Sequence, residues 1–522
     1  MKKRLISLLL AFSMMLTFLP AGAVSAFAEE EELGTKLQDG QKVTEPGTYY
    51  LEGTYRKQIT FDVEKNGTVK VNLKGNVILD ADEDFLYYNK AFLYFKNVEN
   101  AEIDGTRGTY TGDTFIDFRG KTAKITGGTY THKRSSVYQS ELIAPVYGTT
   151  TIDNVTMTSD TYCVRSGQNA HVIIQNSNIT GTTDKINVRL IECYSLELTN
   201  NIVTASGSNF TAVHAEKGVV INSGTYTSES GAAVVIGNYG TQATKSIVNG
   251  GTFNGLVTNQ NKNLIIHGGT FNGMTDRGAF SNSGTVVIDD KNSVPTFQCK
   301  TASENGVVEN TGTMTINAGT IDALGDPTQT AIYTIKPYGQ TPPNLEVNDV
   351  TLKNAKYGIR MQRYMKNAIP CVTLRKASFE NVGCKVYLGE DTKIGVADTY
   401  TDEVTIECAD PSDGRQLTET TIGTDYQKNL KLNLMGANED YLVAYKKTES
   451  GEYRYLAKKV GVTISGLDGA IKAEDPAEFT VTLTHVGSTG IGMLTFGDKN
   501  SEIEYKDEES GEYKRMPWRP AH

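Results

Sequence analysis

Basic residues are in short supply in this sequence: 51 Lys and Arg stand against 61 Asp and Glu, a net charge of -10. That balance argues against nucleic acid as a partner and against docking on anionic membranes. No two of the six cysteines form a Cys-x-x-Cys pair, which removes the usual framework of a zinc module. Beyond residue 19 no segment is long and apolar enough to cross a bilayer, and no cell-wall sorting signal is read at the C-terminal end. Proline is scarce, with 13 residues, whereas glycine is plentiful, with 51. That combination suits a chain of many strands and tight turns. A length of 522 residues is too great for one ordinary core and calls for several domains or one elongated solenoid.

What is present begins with an export pattern. Lys2, Lys3 and Arg4 precede an apolar run over 5–19, broken by Ser7, Ser13 and Thr17 and ended by Pro20. Ala26-Phe27-Ala28 supplies small residues before Glu29, with Val24-Ser25-Ala26 as a second cleavage site. This predicts a signal peptide over 1–28; a membrane anchor needs a longer run. The expected location is extracellular, either released or held at the cell surface, with no membrane span after signal removal. The six cysteines, at 163, 193, 299, 371, 384 and 408, then have two readings. Export permits a disulfide, Cys371 with Cys384 being closest; alternatively each is a small buried apolar residue.

An irregular repeat dominates the middle of the chain. An apolar residue is followed by a turn-like triplet, then Thr or a substitute, then a second apolar residue five places on. It runs through Ile125/Tyr130, Ile152/Met157, Ile174/Ile179, Leu198/Val203, Ile221/Tyr226, Val248/Phe253, Ile266/Phe271, Ile316/Ile321, Val347/Leu352 and Leu374/Phe379. Most first positions carry another apolar residue two places earlier, such as Val172, Leu196, Val219 and Leu264. Period-two apolarity means a strand with one buried face. The triplets are rich in Gly and Asn, which tolerate the left-handed backbone of a sharp bend. The spacing of 50 between Ile266 and Ile316 predicts an extra coil at Val286-Val287-Ile288. A leucine-rich frame and a propeller's blade period are both missing, so the expectation is a β-solenoid. Roughly a dozen coils at ~4.8 Å each make a rod on the order of 60 Å, with Tyr130, Tyr226, Phe253, Phe271 and Phe379 stacked inside.

On this repeat the chain resembles the right-handed parallel β-helix proteins, the superfamily of pectate lyases, polygalacturonases and many bacterial surface proteins. The resemblance covers about residues 45 to 400, including Gly47-Thr-Tyr-Tyr-Leu51 and Val69-Lys-Val-Asn-Leu73. It implies an all-β fold: a right-handed parallel β-helix over 61–400 after a cap and first strands at 29–60. Later segments with Ser450-Gly451 and Asp413-Gly414 turn signals predict one or two small β-sandwich or hairpin modules. These are a β-rich module at 401–460 and a module at 461–522 that resembles immunoglobulin-like surface domains.

The superfamily's catalytic motifs are poorly matched. No histidine stands between two glycines, and Asp289-Asp290 and Gly358-Ile359-Arg360 are the nearest approach to a carboxylate set. Asp80, Asp82 and Asp84 offer oxygen ligands for calcium, but they lack the glycine and distal glutamate of an EF-hand loop, and a solvated turn is the simpler reading. Thr129, Thr156 and Thr225, each with a second Thr two residues on (Thr131, Thr158, Thr227), predict a flat outward hydroxyl array fit for a glycan, or simply good exposed strand residues. The expected function is non-enzymatic binding of polysaccharide or cell-surface glycan, or adhesion. A lyase or glycoside hydrolase with a non-standard site, and a structural stalk, are the alternatives. Clustered acids with Arg or Lys on one outer face favour an enzyme; exposed aromatics favour a binder.

Overall fold

The computed structural model describes residues 34–421 apart from 64–66, 82–90, 134–139, 184–187, 238–243, 262, 301–305, 326–327, 337–341 and 364–370; further on it describes 426–436, 440–459, 461–465, 480–484, 504–506 and 513–515. The predicted signal peptide, Asp82 and Asp84 lie outside the described residues. Two compact units meet between Lys385 and Val386.

The first unit is a parallel β-solenoid. One coil runs Tyr147–Asp153, Thr156–Ser159 and Tyr162–Arg165. These three strands pair in parallel with Asn169–Gln175, Asn178–Thr182 and Arg189–Thr199 of the next coil. Repetition of this step builds three long faces, numbered first, second and third in the order the chain meets them. Cysteine burial follows the core reading: Cys163, Cys193, Cys299, Cys384 and Cys408 are buried, while Cys371 is exposed.

The repeat residues stack as the sequence predicts. On the first face Tyr49, Val71, Ile103, Ile125, Ile152, Ile174, Leu198 and Ile221 lie one above another. Val248, Ile266, Ile288, Ile316, Val347 and Leu374 continue the column, giving about 14 turns. Ile288 fills the long spacing, so that gap does hold two coils. Between the first and second faces the chain bends at Asn154, Asn176 and Asn200, with φ of 55°, 53° and 53°. Asparagine tolerates this left-handed backbone because its short amide bonds locally. Here the amides also bond each other across rungs, Asn200 Nδ2 donating to Asn176 Oδ1 at 3.0 Å.

The second face supplies the aromatic interior. Tyr226, Phe253, Phe271 and Phe297 sit on successive rungs, with ring centroids 5.5, 4.7 and 4.5 Å apart and nearly parallel planes. Phe379 departs from the expectation. It is only half-buried, because it ends its column, and the Lys385 ammonium covers its ring at 5.2 Å.

The second unit carries parallel pairing too: Val386, Tyr387 and Leu388 lie beside Ile406, Glu407 and Cys408. Tyr441–Thr448 and Gly451–Lys458 form an antiparallel hairpin closed at the predicted Ser450-Gly451 turn. Within 461–522 the described residues form two antiparallel pairs, Gly461–Ser465 with Thr480–Thr484 and Glu504–Lys506 with Tyr513–Arg515. The sole helical element among the described residues is a 3-10 turn, Tyr426–Lys428.

Phe253 is fully buried between two stacked rings. Phe253→Ala should therefore lower unfolding free energy by about 3–5 kcal/mol, read from urea or guanidinium titrations. A loss under about 1 kcal/mol would mean that the coil collapses around the missing ring.

Candidate functional site

The predicted hydroxyl residues come together on the outer side of the second face. Thr109, Thr129, Thr156, Asn178, Ile202, Thr225, Thr252, Thr270, Thr296, Thr320, Thr351 and Ser378 form one column. Thr131, Thr158, Thr180, Thr204, Thr227, Asn254, Asn272 and Gln298 form its neighbour. The neighbour is partly self-satisfied: Thr158 bonds Thr180 at 3.2 Å, and amides bond along Thr227, Asn254, Asn272 and Gln298. Ile202, 55% exposed, interrupts the first column. The array is real but neither uniform nor wholly available to a ligand.

The outer side of the third face concentrates charge instead. Arg165, Glu192 and His214 stand in register on three successive rungs. Arg165 Nε lies 3.2 Å from Glu192 Oε2, and Arg189 Nη1 pairs with Oε1. His214 Nδ1 is 3.6 Å from that same Oε1. The Glu192 and His214 side chains are 9% and 5% exposed, whereas Arg165 and Arg189 are 45% and 39% exposed. Burial pushes the Glu192 carboxyl up, but His214, Arg189 and Arg165 outweigh it and hold the group below the usual carboxylate value. Glu141, opposite Tyr162 one rung on, moves the other way: burial raises it, against a weaker pull from Arg165. Two carboxyls of opposed tendency thus share one outer face.

Aromatics line the same side. Arg119 lies over the Tyr94 ring at 5.2 Å, Arg165 over Tyr162 at 5.0 Å, Lys217 over Tyr194 at 5.5 Å and Arg360 over Tyr333 at 5.4 Å.

A third polar group lies inside the solenoid, at the bend from second to third face. His132 Nδ1 is 2.9 Å from Ser159 Oγ, and Nε2 is 3.0 Å from Ser140 Oγ and 3.2 Å from Asp113 Oδ1. These are the residue types of a nucleophilic triad. Ser140 is fully buried and Ser159 2% exposed, so neither hydroxyl faces a substrate; the group fills a polar corner. Room for the imidazole comes from small neighbours, Gly112 one rung below it and Ser159 with Gly181 on the rungs above. The sequence reading passed over His132, whose only signal is a polar residue at an inward position.

The residues nearest to the superfamily's catalytic set are not brought together. Asp289 follows the first-face strand Thr285–Ile288, with Oδ1 2.6 Å from His267 Nδ1, whereas Arg360 stands on the third face. Asp80 is exposed and 3.6 Å from Arg56 Nη2. Comparison with protein-family models, with curated proteins and with solved structures found no match.

Asp113 gives a pH test. Burial pushes its carboxyl up, but bonds from His132, Ser140 and the Thr114 amide outweigh this and hold it below the usual carboxylate value. A carboxyl depressed in the folded state stabilises above its unfolded pKa, and that contribution is lost as pH falls through the folded value. The stability advantage of the native chain over Asp113→Asn should therefore be full near neutral pH and shrink below about pH 4. Denaturation midpoints across that window measure it; a gap independent of pH would assign Asp113 a purely packing role.

Proposed function

We propose that the chain is an exported glycan-binding protein that takes an extended polysaccharide along the outer side of the third face. The observation that carries this reading is the pair of partly exposed tyrosines under a cation, Tyr94 and Tyr194, on a face where Tyr162 and Tyr333 lie buried beneath Arg165 and Arg360. Tyrosine offers a flat apolar ring with a polar edge, which suits the C–H face of a sugar. Arginine offers a fork of donors for hydroxyl or carboxylate oxygens. At the partly exposed Tyr94 and Tyr194 such a pair contributes only about 0.5–1 kcal/mol, so a sugar displaces the cation there at small cost. The signal-like N-terminal segment supports export.

One observation favours cleavage as a second reading: Glu141 and Glu192 share this face with opposed pKa tendencies, a pattern that can separate an acid from a base. A glycan array run beside a polysaccharide-degradation assay distinguishes the readings. Binding without new reducing ends or unsaturated uronates, weakened roughly 3- to 30-fold by Arg165→Ala or Tyr194→Ala, is the expected result. Cleavage lost in Glu192→Gln would replace binding by catalysis. Binding lost in Thr156→Val and Thr158→Val would move the ligand to the second face. Neither binding nor cleavage would leave a structural stalk.

A further inference from the structure

We propose that Glu192, His214 and Glu216 form a binding site for a divalent transition-metal ion of the zinc type. One ligand atom from each lies within 4.8 Å of the others. Glu192 and His214 occupy adjacent rungs of one outward column. Glu216 stands two residues beyond His214 in the strand Thr211–Ile221, where the period of two returns a side chain to the same side. The site is independent of the glycan reading.

The imidazole supplies the decisive observation. His214 Nε2 is 3.4 Å from the Gly237 carbonyl oxygen, which can only accept, so Nε2 carries a proton, and in the neutral ring Nδ1 is then a lone pair. Nδ1 is buried and has no hydrogen-bond partner, yet it faces Glu192 Oε1 at 3.6 Å. In that tautomer Nδ1 and Glu192 Oε1 are two acceptors that repel unless a positive species, a proton or a metal ion, lies between them. Two ligands each ~2.0–2.1 Å from a tetrahedral ion stand roughly 3.3–3.4 Å apart, close to the distance seen. The Gly237 carbonyl then plays the part of the outer partner that fixes the tautomer of a metal-bound histidine. One imidazole with two carboxylates suits zinc, cobalt or manganese, whereas calcium takes oxygen ligands throughout. Arg165 and Arg189 compete for Glu192, but an ionised carboxylate has about four acceptor sites, and both guanidiniums are partly solvated.

The purified protein, stripped with chelator, should take up one Zn²⁺ per chain in calorimetric titration. Co²⁺ in its place should give the visible absorption of a four-coordinate site, and excess Ca²⁺ should not compete. His214→Gln and Glu216→Gln should each weaken binding at least about tenfold, with circular dichroism unchanged. If His214→Gln fails to fold, Glu216→Gln decides, since Glu216 is only half-buried. The proposal is overturned if the native chain shows no saturable one-to-one uptake, in which case a proton on Nδ1 bridges the two acceptors. It is equally overturned if uptake is unchanged in Glu216→Gln.

Discussion

In-register parallel stacking is the constraint on which the rest of the first unit depends. Each residue lies directly over its counterpart one coil away, at a spacing of ~4.8 Å, so every side chain has two fixed neighbours of the same orientation. Like therefore sits on like. Ile152, Ile174, Leu198 and Ile221 fill one column, and Phe253, Phe271 and Phe297 stack with centroids at 4.5–4.7 Å, near the rung spacing itself. The ends are weak for the same reason: a residue such as Phe379 has a neighbour on one side only, and its free ring face must be covered otherwise.

This constraint explains which parts of the molecule are legible in the sequence. First and second faces are joined in most coils by a short bend of one length, so Ile125 to Tyr130 and Ile152 to Met157 are both five residues. Counting in twos then recovers register, burial and the outward threonines. The third face follows connections of varying length, nine residues from His132 to Glu141 but three from Ser159 to Tyr162. No fixed count leads from the repeat to Arg165, Glu192 and His214. A signal does exist, for Val164-Arg165, Ile191-Glu192 and Val213-His214 each place a charged or polar residue after a buried branched one. Their separations, 27 and 22 residues, match the coil period. Without the connection lengths these pairs read as scattered charges, and the clustered face is lost.

The two outward faces differ in what a ligand would have to displace. On the second face, hydroxyls and amides bond along the column from Thr227 to Gln298, so a ligand gains hydrogen bonds only by breaking others. Net gain per exchanged bond is small. On the third face the cations above the partly exposed Tyr94 and Tyr194 are partly solvated, and their attraction to those rings is weak. The chain's overall acidity is no guide here, since three guanidiniums, Arg119, Arg165 and Arg189, gather on one face of a protein with net charge -10.

Apolar columns fill most of the interior but do not fill it alone, and the exceptions bear on register. Asn259, Asn282 and Asn310 are fully buried on successive rungs. Asn259 Nδ2 donates to Asn282 Oδ1 at 2.7 Å, and Asn282 Nδ2 to Asn310 Oδ1 at 2.8 Å. An isoleucine column tolerates a shifted partner, because any branched neighbour restores most of its contacts. An asparagine column is more exacting: Asn259 and Asn282 each donate to the amide on the next rung, with the carbonyls of Asn261, Gly284 and Asn344 as further acceptors. A slip would leave buried polar atoms unpaired at about 1–3 kcal/mol each. The His132 corner acts likewise, since Asp113, Ser140 and Ser159 come from three successive coils and meet the ring in one alignment alone. Burial of apolar columns stabilises the stack; these polar contacts select which coil lies on which.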